Sequence, residues 1–127
     1  MIKKAAFVAH PTWDIEKSKQ FYGEVLGMQH DHDYDGGWCE YVLPDGTTVA
    51  LDTYGPKMIG DQARTYLSLE IDDLDAYVGQ LEAAGVEFVL PLTINNNEEG
   101  REICRMAVIL DPDKNPIMLH QKAAWRD

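Results

Sequence analysis

Two stretches of this chain read as copies of one another, and that internal repeat limits the possible folds more than any other feature. A constant offset sets KAAFVAHPTWDIEKSKQFYGEVLG against ARTYLSLEIDDLDAYVGQLEAAG. It pairs Phe7 with Tyr66, Val8 with Leu67, Ala9 with Ser68, Asp14 with Asp73, Ile15 with Leu74 and Tyr22 with Leu81. Each copy opens as a short apolar strand. An Asp follows at a helix start, where its carboxylate can accept from the free N–H groups of the first turn. Ile15, Ser18, Tyr22 and Val25 then recur at spacings of three and four, as do Leu74, Tyr77, Leu81 and Ala84. Both stripes predict one buried helix face. Gly27 and Gly85 stand where the helices must stop.

Three more strands are expected after each helix. In the first copy they fall near 28–34, 38–43 and 47–53, the last two joined by PDG; in the second, near 86–91, 103–110 and 115–121, with DPDKNP as the final turn. A second constant offset aligns PDGTTVAL with PDKNPIML, so the copies agree at both ends. The expected organisation is one domain over 1–127. It comprises a βαβββ module at about 1–53, a linker at about 54–63, a second module at about 64–121 and a tail at 122–127. The polar stretch TINNNEEGRE, residues 93–102, reads as a surface loop.

A chain of 127 residues suffices for one core. Eleven Lys and Arg against 22 Asp and Glu give a formal charge of -11, which opposes binding to nucleic acid or to an anionic membrane. The two cysteines, Cys39 and Cys104, form no CxxC motif and suit a reducing compartment. The first apolar run ends at His10-Pro11, too short for a signal sequence, and no later segment approaches a membrane span. These features predict a cytoplasmic protein.

The segments DIEKSKQFYGEVLGM, LEIDDLDAYVGQLEAAGVEF and MAVILDPDKNPIMLHQ together resemble the vicinal oxygen chelate superfamily, which includes glyoxalase I, fosfomycin resistance proteins, extradiol dioxygenases and bleomycin-binding proteins. The resemblance runs from the first strand to Gln121. It implies an α+β fold of two βαβββ modules forming curved mixed sheets around a cavity, often within a homodimer. Metal-dependent members carry a ligand seven residues before the capping Asp, which here is Phe7, with Tyr66 as its counterpart in the second module. The last-strand ligand position falls on Met118 and its first-module counterpart on Ala50. A divalent ion of this chemistry needs imidazole and carboxylate donors. The expectation is therefore no metal and no cofactor.

Strand alternation puts Ala9, Asp52, Ser68 and His120 on the same side as those four positions. Either Trp38 and Glu40 or Cys39 and Tyr41 join them. The leading expectation is a binder of a small aromatic or amphipathic molecule. Phe7, Trp38, Tyr66 and Met118 would supply apolar contact, while Glu40, Asp52, Ser68 and His120 set orientation. The alternative is a lyase, isomerase or dioxygenase-type enzyme, using a metal through other ligands or His120 as an acid–base group. His30 and His32 fall two apart in QHDHDYD, on one face of a strand. Their alternating acids read as a solvated edge strand, although such a pair can chelate a metal adventitiously.

Overall fold

The computed structural model describes residues 1–112 and 115–126. The chain divides into two compact units, Phe7–Tyr66 and Met1–Ala6 with the chain from Leu67 onward. The fold is α+β and its element order is βαβββ twice, as the repeat predicts.

The first module runs β1 (Ile2–Pro11), α1 (Ile15–Lys19), β2 (Gln29–Tyr34), β3 (Trp38–Val42) and β4 (Thr48–Asp52). Its strands lie in the order β2-β3-β4-β1. The hairpin neighbours are antiparallel, while β1 and β4 are parallel, with Ala9 beside Ala50 and Pro11 beside Asp52. Asp14 caps α1 by accepting from Lys17 N at 3.2 Å. After Lys19 the helix widens into a π-helical turn over Gln20–Val25. The cause lies in β3: the Tyr41 hydroxyl donates to the Lys19 carbonyl at 3.3 Å and interrupts the regular ladder. That widening corrects the expected helix face, because Val25 is turned out and is 68% exposed. Ile15, Tyr22 and Met28 still pack on Cys39, Tyr41 and Leu51.

The segment expected as a linker is helical and belongs to the first unit: α2 spans Tyr54–Ile59, and a 3-10 turn covers Gly60–Gln62. Gly37 sits so close to its start that a Cβ there would lie 2.8 Å from Thr53 Oγ1. The Gly37 carbonyl accepts from both Thr53 N and Thr53 Oγ1.

The second module runs β5 (Tyr66–Ile71), α3 (Leu74–Ala83), β6 (Phe88–Asn96), β7 (Glu102–Leu110) and β8 (Pro116–Lys122). Its strand order is β5-β8-β7-β6, with β5 and β8 parallel and the remaining neighbours antiparallel. Asp73 caps α3 by accepting from Ala76 N, and Gly85, at φ +79°, ends the helical segment. Leu74 and Val78 bury against Ile71, Ala107 and Leu119, whereas Ala84 lies past the helix and is exposed. The expected loop at 93–102 is instead largely a hairpin. β6 continues through Asn96, and the Asn97 side chain accepts from Glu99 N and Arg101 N to close a tight turn. In the final turn Asp113 and Lys114 lie outside the described residues, and Asp111 accepts from Asn115 N at 2.8 Å. Among the described residues no helix is long and apolar enough to cross a membrane.

Candidate functional site

In the first module α1 decides which side of the sheet is covered. Cys39, Tyr41 and Leu51 pack beneath it, so alternation sends Trp38, Glu40, Ala50 and Asp52 to the opposite face with Phe7 and Ala9. Of the two sets left open by the sequence, Trp38 and Glu40 are therefore the pair that shares a face with Phe7. Phe7 and Trp38 meet edge to face, with ring centroids 5.3 Å apart at 83°. The Trp38 indole donates to Glu40 Oε2 at 2.7 Å, which fixes both side chains.

Asp52 is 3% exposed. Its carboxylate accepts from Tyr54 N at 2.7 Å, Gly55 N at 3.3 Å and the Tyr66 hydroxyl at 3.4 Å. It thus ties down the start of α2. Burial raises its pKa, and those three bonds only partly oppose the rise. Burial, followed by the charge of Asp52, drives the Tyr66 hydroxyl far above the usual phenol range.

In the second module α3 covers Ile71, Ala107 and Leu119, so Ser68, Glu70, Met106, Met118 and His120 lie on the other face. A polar row crosses four neighbouring strands there. On β6, Asn95 donates to Cys104 Sγ at 3.5 Å. Cys104, on β7, stands opposite Lys122 on β8 and so shares a face with His120 of that strand. His120 Nδ1 donates to Glu70 Oε1 on β5 at 2.7 Å, and Glu70 Oε2 accepts from Lys122 N at 2.8 Å. Burial pushes the His120 imidazolium down, but the neighbouring Cys104 and Glu70 outweigh this and raise its pKa to about 9. Burial pushes Glu70 up, and the bonds from His120 and Lys122 bring it below the ordinary range. Burial likewise opposes the Cys104 thiolate, yet His120 and Asn95 hold that thiol below its usual value.

The carboxylate that partners His120 is thus Glu70 of its own module, and Asp52 has its own donors. Glu70, Cys104 and Asn95 were not among the residues selected from the sequence. Glu70 was within reach of that reasoning, since it follows Ser68 by two on the same strand. Cys104 was not, because its approach to His120 depends on the β7–β8 register that sets Met106 opposite His120. Ser68 is fully buried, and its hydroxyl has no hydrogen-bond partner among the described residues.

The four positions at which the resemblance places metal ligands do not fit a metal. Phe7 and Ala50 have no donor atom, Tyr66 is bound to Asp52, and Met118 offers only a buried thioether. The His30–His32 reading is corrected by a bulge between the two residues. His30 pairs with Tyr41 and His32 with Glu40, which puts the rings on opposite faces. His30, Asp33 and Cys39 do bring donor atoms within 4.8 Å of one another. Asp33 is already held there by Lys19 at 3.3 Å and His30 at 3.1 Å. Burial and Asp33 push the Cys39 thiol up to about 11, the opposite of what thiolate ligation requires. Elsewhere in the second module a surface depression of about 470 Å³ is lined by Arg101, Arg105, Lys122 and Trp125. Its Arg105 is engaged by Glu102 and Asp75, each at 2.9 Å.

Comparison with known proteins agrees with this architecture. YetH of Bacillus subtilis (strain 168) is 30% identical over 95 residues, covering 70% of this chain and 78% of that protein. A glyoxalase/bleomycin resistance protein/dioxygenase superfamily member from Vibrio splendidus 12B01 superposes with a TM-score of 0.70 at 17% identity, covering 97% of this chain and all of that one. Methylmalonyl-CoA epimerase from Mycobacterium tuberculosis superposes at 0.67 with 20% identity, covering 98% and 91% of the two chains. At these identities the solved structures speak for the fold alone. The sequence model of one family spans residues 5–119, from the first strand of one module to the last strand of the other. The chain belongs to the Glyoxalase/Bleomycin resistance protein/Dioxygenase superfamily.

Proposed function

We propose that this member of the superfamily binds a small aromatic or amphipathic molecule without the help of a metal ion. The observation that carries the reading is the content of the four ligand positions: Phe7, Ala50, Tyr66 and Met118 supply apolar surface where metal-dependent relatives need donors. Phe7 and Trp38 form a fixed aromatic corner, and Glu40 holds the indole in place, so the first module presents an ordered apolar contact rather than a mobile one. In the second module Ser68 and Met118 stand side by side on neighbouring strands, and the buried Ser68 hydroxyl has no hydrogen-bond partner among the described residues.

Trp38 provides the readout. Trp13 and Trp125 are the more exposed indoles, at 63% and 46%, and replacing both with Phe isolates the Trp38 emission. Titration with a panel of planar aromatic compounds is expected to shift or quench that emission saturably. Trp38→Ala should weaken binding by roughly 1.5–3 kcal/mol, the contribution of one large buried side chain, which is about ten- to a hundredfold in Kd. Binding that survives Trp38→Ala and Phe7→Ala unchanged would remove the reading.

A further inference from the structure

We propose that the depression beside Trp125 is a binding site for a small organic carboxylate. Arg101 and Arg105 take the carboxylate group, and Ala123, Ala124 and Trp125 contact the apolar part. This goes beyond the binding reading and does not depend on it. Arg105 and Gln121 lie with Ala107 and Leu119 on the side of the sheet that α3 covers, whereas Met118 and His120 face the other way.

Backbone ties hold the site in place. The Asn97 side chain accepts from Arg101 N at 2.9 Å, and Asn97 N donates to the Arg101 carbonyl at 2.8 Å, so the turn before β7 fixes the main chain of Arg101. The tail is tied to the start of the same strand. Ala123 N and Arg126 Nη1 both donate to the Ile103 carbonyl, at 3.1 and 2.9 Å, and Trp125 Nε1 donates to the Glu102 carbonyl at 2.7 Å. Over the indole held in this way lies the Arg101 guanidinium, 4.0 Å from the ring centroid. Stacking uses the flat face of a guanidinium and leaves its N–H edge for an anion. The Arg101 side chain has no hydrogen-bond partner among the described residues. Arg105 bonds Glu102 through Nε and Nη2 and Asp75 through Nη1, which uses three of its five N–H groups and leaves two. Its side chain is 31% exposed, so those two can be reached.

Charge and shape select the ligand class. Arg101, Arg105 and Lys122 line the depression, while Glu102 and Asp75 offset Arg105. Three positive charges against two negative leave a surplus of one, in a chain whose formal charge is -11. That surplus matches a single carboxylate better than a phosphate monoester, which carries nearly two charges at neutral pH. The planar fork of Arg101 also fits a planar carboxylate in a bidentate pair. A volume of about 470 Å³ admits a small organic molecule.

Phenylacetate is the test probe, with phenylacetamide as its uncharged counterpart and phenyl phosphate as the dianion. The chain has three Trp, and replacing Trp13 and Trp38 with Phe leaves Trp125 as the sole emitter. The same background removes the indole of the aromatic corner, so a failure of binding there and a failure here are read separately. Phenylacetate is expected to change the Trp125 emission saturably, with one site per chain by calorimetry and with affinity falling as salt rises. Arg101→Gln, at an exposed position, should raise the calorimetric Kd at least about tenfold, the loss of a hydrogen bond to a charged group. Arg101→Lys should recover only part of this, because it keeps the charge and loses the fork. The proposal is overturned if phenylacetate does not bind saturably, if phenylacetamide binds as tightly, if phenyl phosphate binds more tightly, or if Arg101→Gln leaves the Kd unchanged.

Discussion

Glu70→Ala is expected to destabilise the protein by roughly 3–5 kcal/mol, the penalty for leaving a buried charge without its partner. His120 and Glu70 are 14% and 12% exposed and 2.7 Å apart, so little solvent screens the pair. The same change should alter the dependence of stability on pH. His120 is raised from 6.5 to about 9. Its stabilising contribution is therefore complete below pH 6.5 and is lost as pH climbs through 9, a change of up to about 3 kcal/mol. Glu70 is lowered from 4.5, so its contribution is present above that pH and is lost as pH falls through its folded value. Cys104, lowered from 9.0, acts in the opposite sense to His120 at alkaline pH and makes the upper decline shallower. Denaturant titrations between pH 4 and 10 should show a wild-type maximum on the mildly acidic side of neutrality and a much flatter profile for Glu70→Ala. Parallel profiles, or a loss below about 1 kcal/mol, would mean that the pair is not formed.

Leu119→Ala should cost about 2–5 kcal/mol, through lost burial and an incompletely collapsed cavity. Leu119 is 1% exposed and lies in the cluster of Ile71, Leu74, Val78 and Ala107 that joins α3 to its sheet. For a domain of this size the loss corresponds to a fall in Tm of roughly 7–19 °C. The consequence reaches the polar row, because Leu119 sits between Met118 and His120 on β8 and anchors the strand from behind. Val89→Ala is the control. Val89 is 58% exposed, so its replacement should stay within about 0.5 kcal/mol in a thermal or urea melt.

The repeat carried much of the fold because it recorded local rules that tertiary contacts did not override. Asp14 and Asp73 both cap, Gly85 takes positive φ, and the strands fall near their expected places. What escaped the sequence was decided by particular distant contacts. The π-helical turn depends on the Tyr41 hydroxyl reaching Lys19, and neither residue announces that contact. The hairpin across 93–102 was hidden because Asn97 is a turn former whose side chain closes the turn, and a run of Asn and Glu reads as loop. The bulge between His30 and His32 broke the alternation that put both rings on one face. On the candidate site, alternation grouped Phe7 with Ala50, and Met118 with His120, correctly by face. It did not reveal that Asp52 would tie down α2, or that Glu70 would meet His120. Those facts depend on which strands lie side by side and in what register.

The measurement closest to the central claim is the metal content of the purified protein, grown with Fe, Mn, Ni and Zn supplied and isolated without chelators. With Phe7, Ala50, Tyr66 and Met118 at the ligand positions, elemental analysis should find well under one bound divalent ion per chain. The His30→Ala variant removes the only other grouping of donors identified among the described residues. About one ion per chain, retained in that variant, would contradict the account.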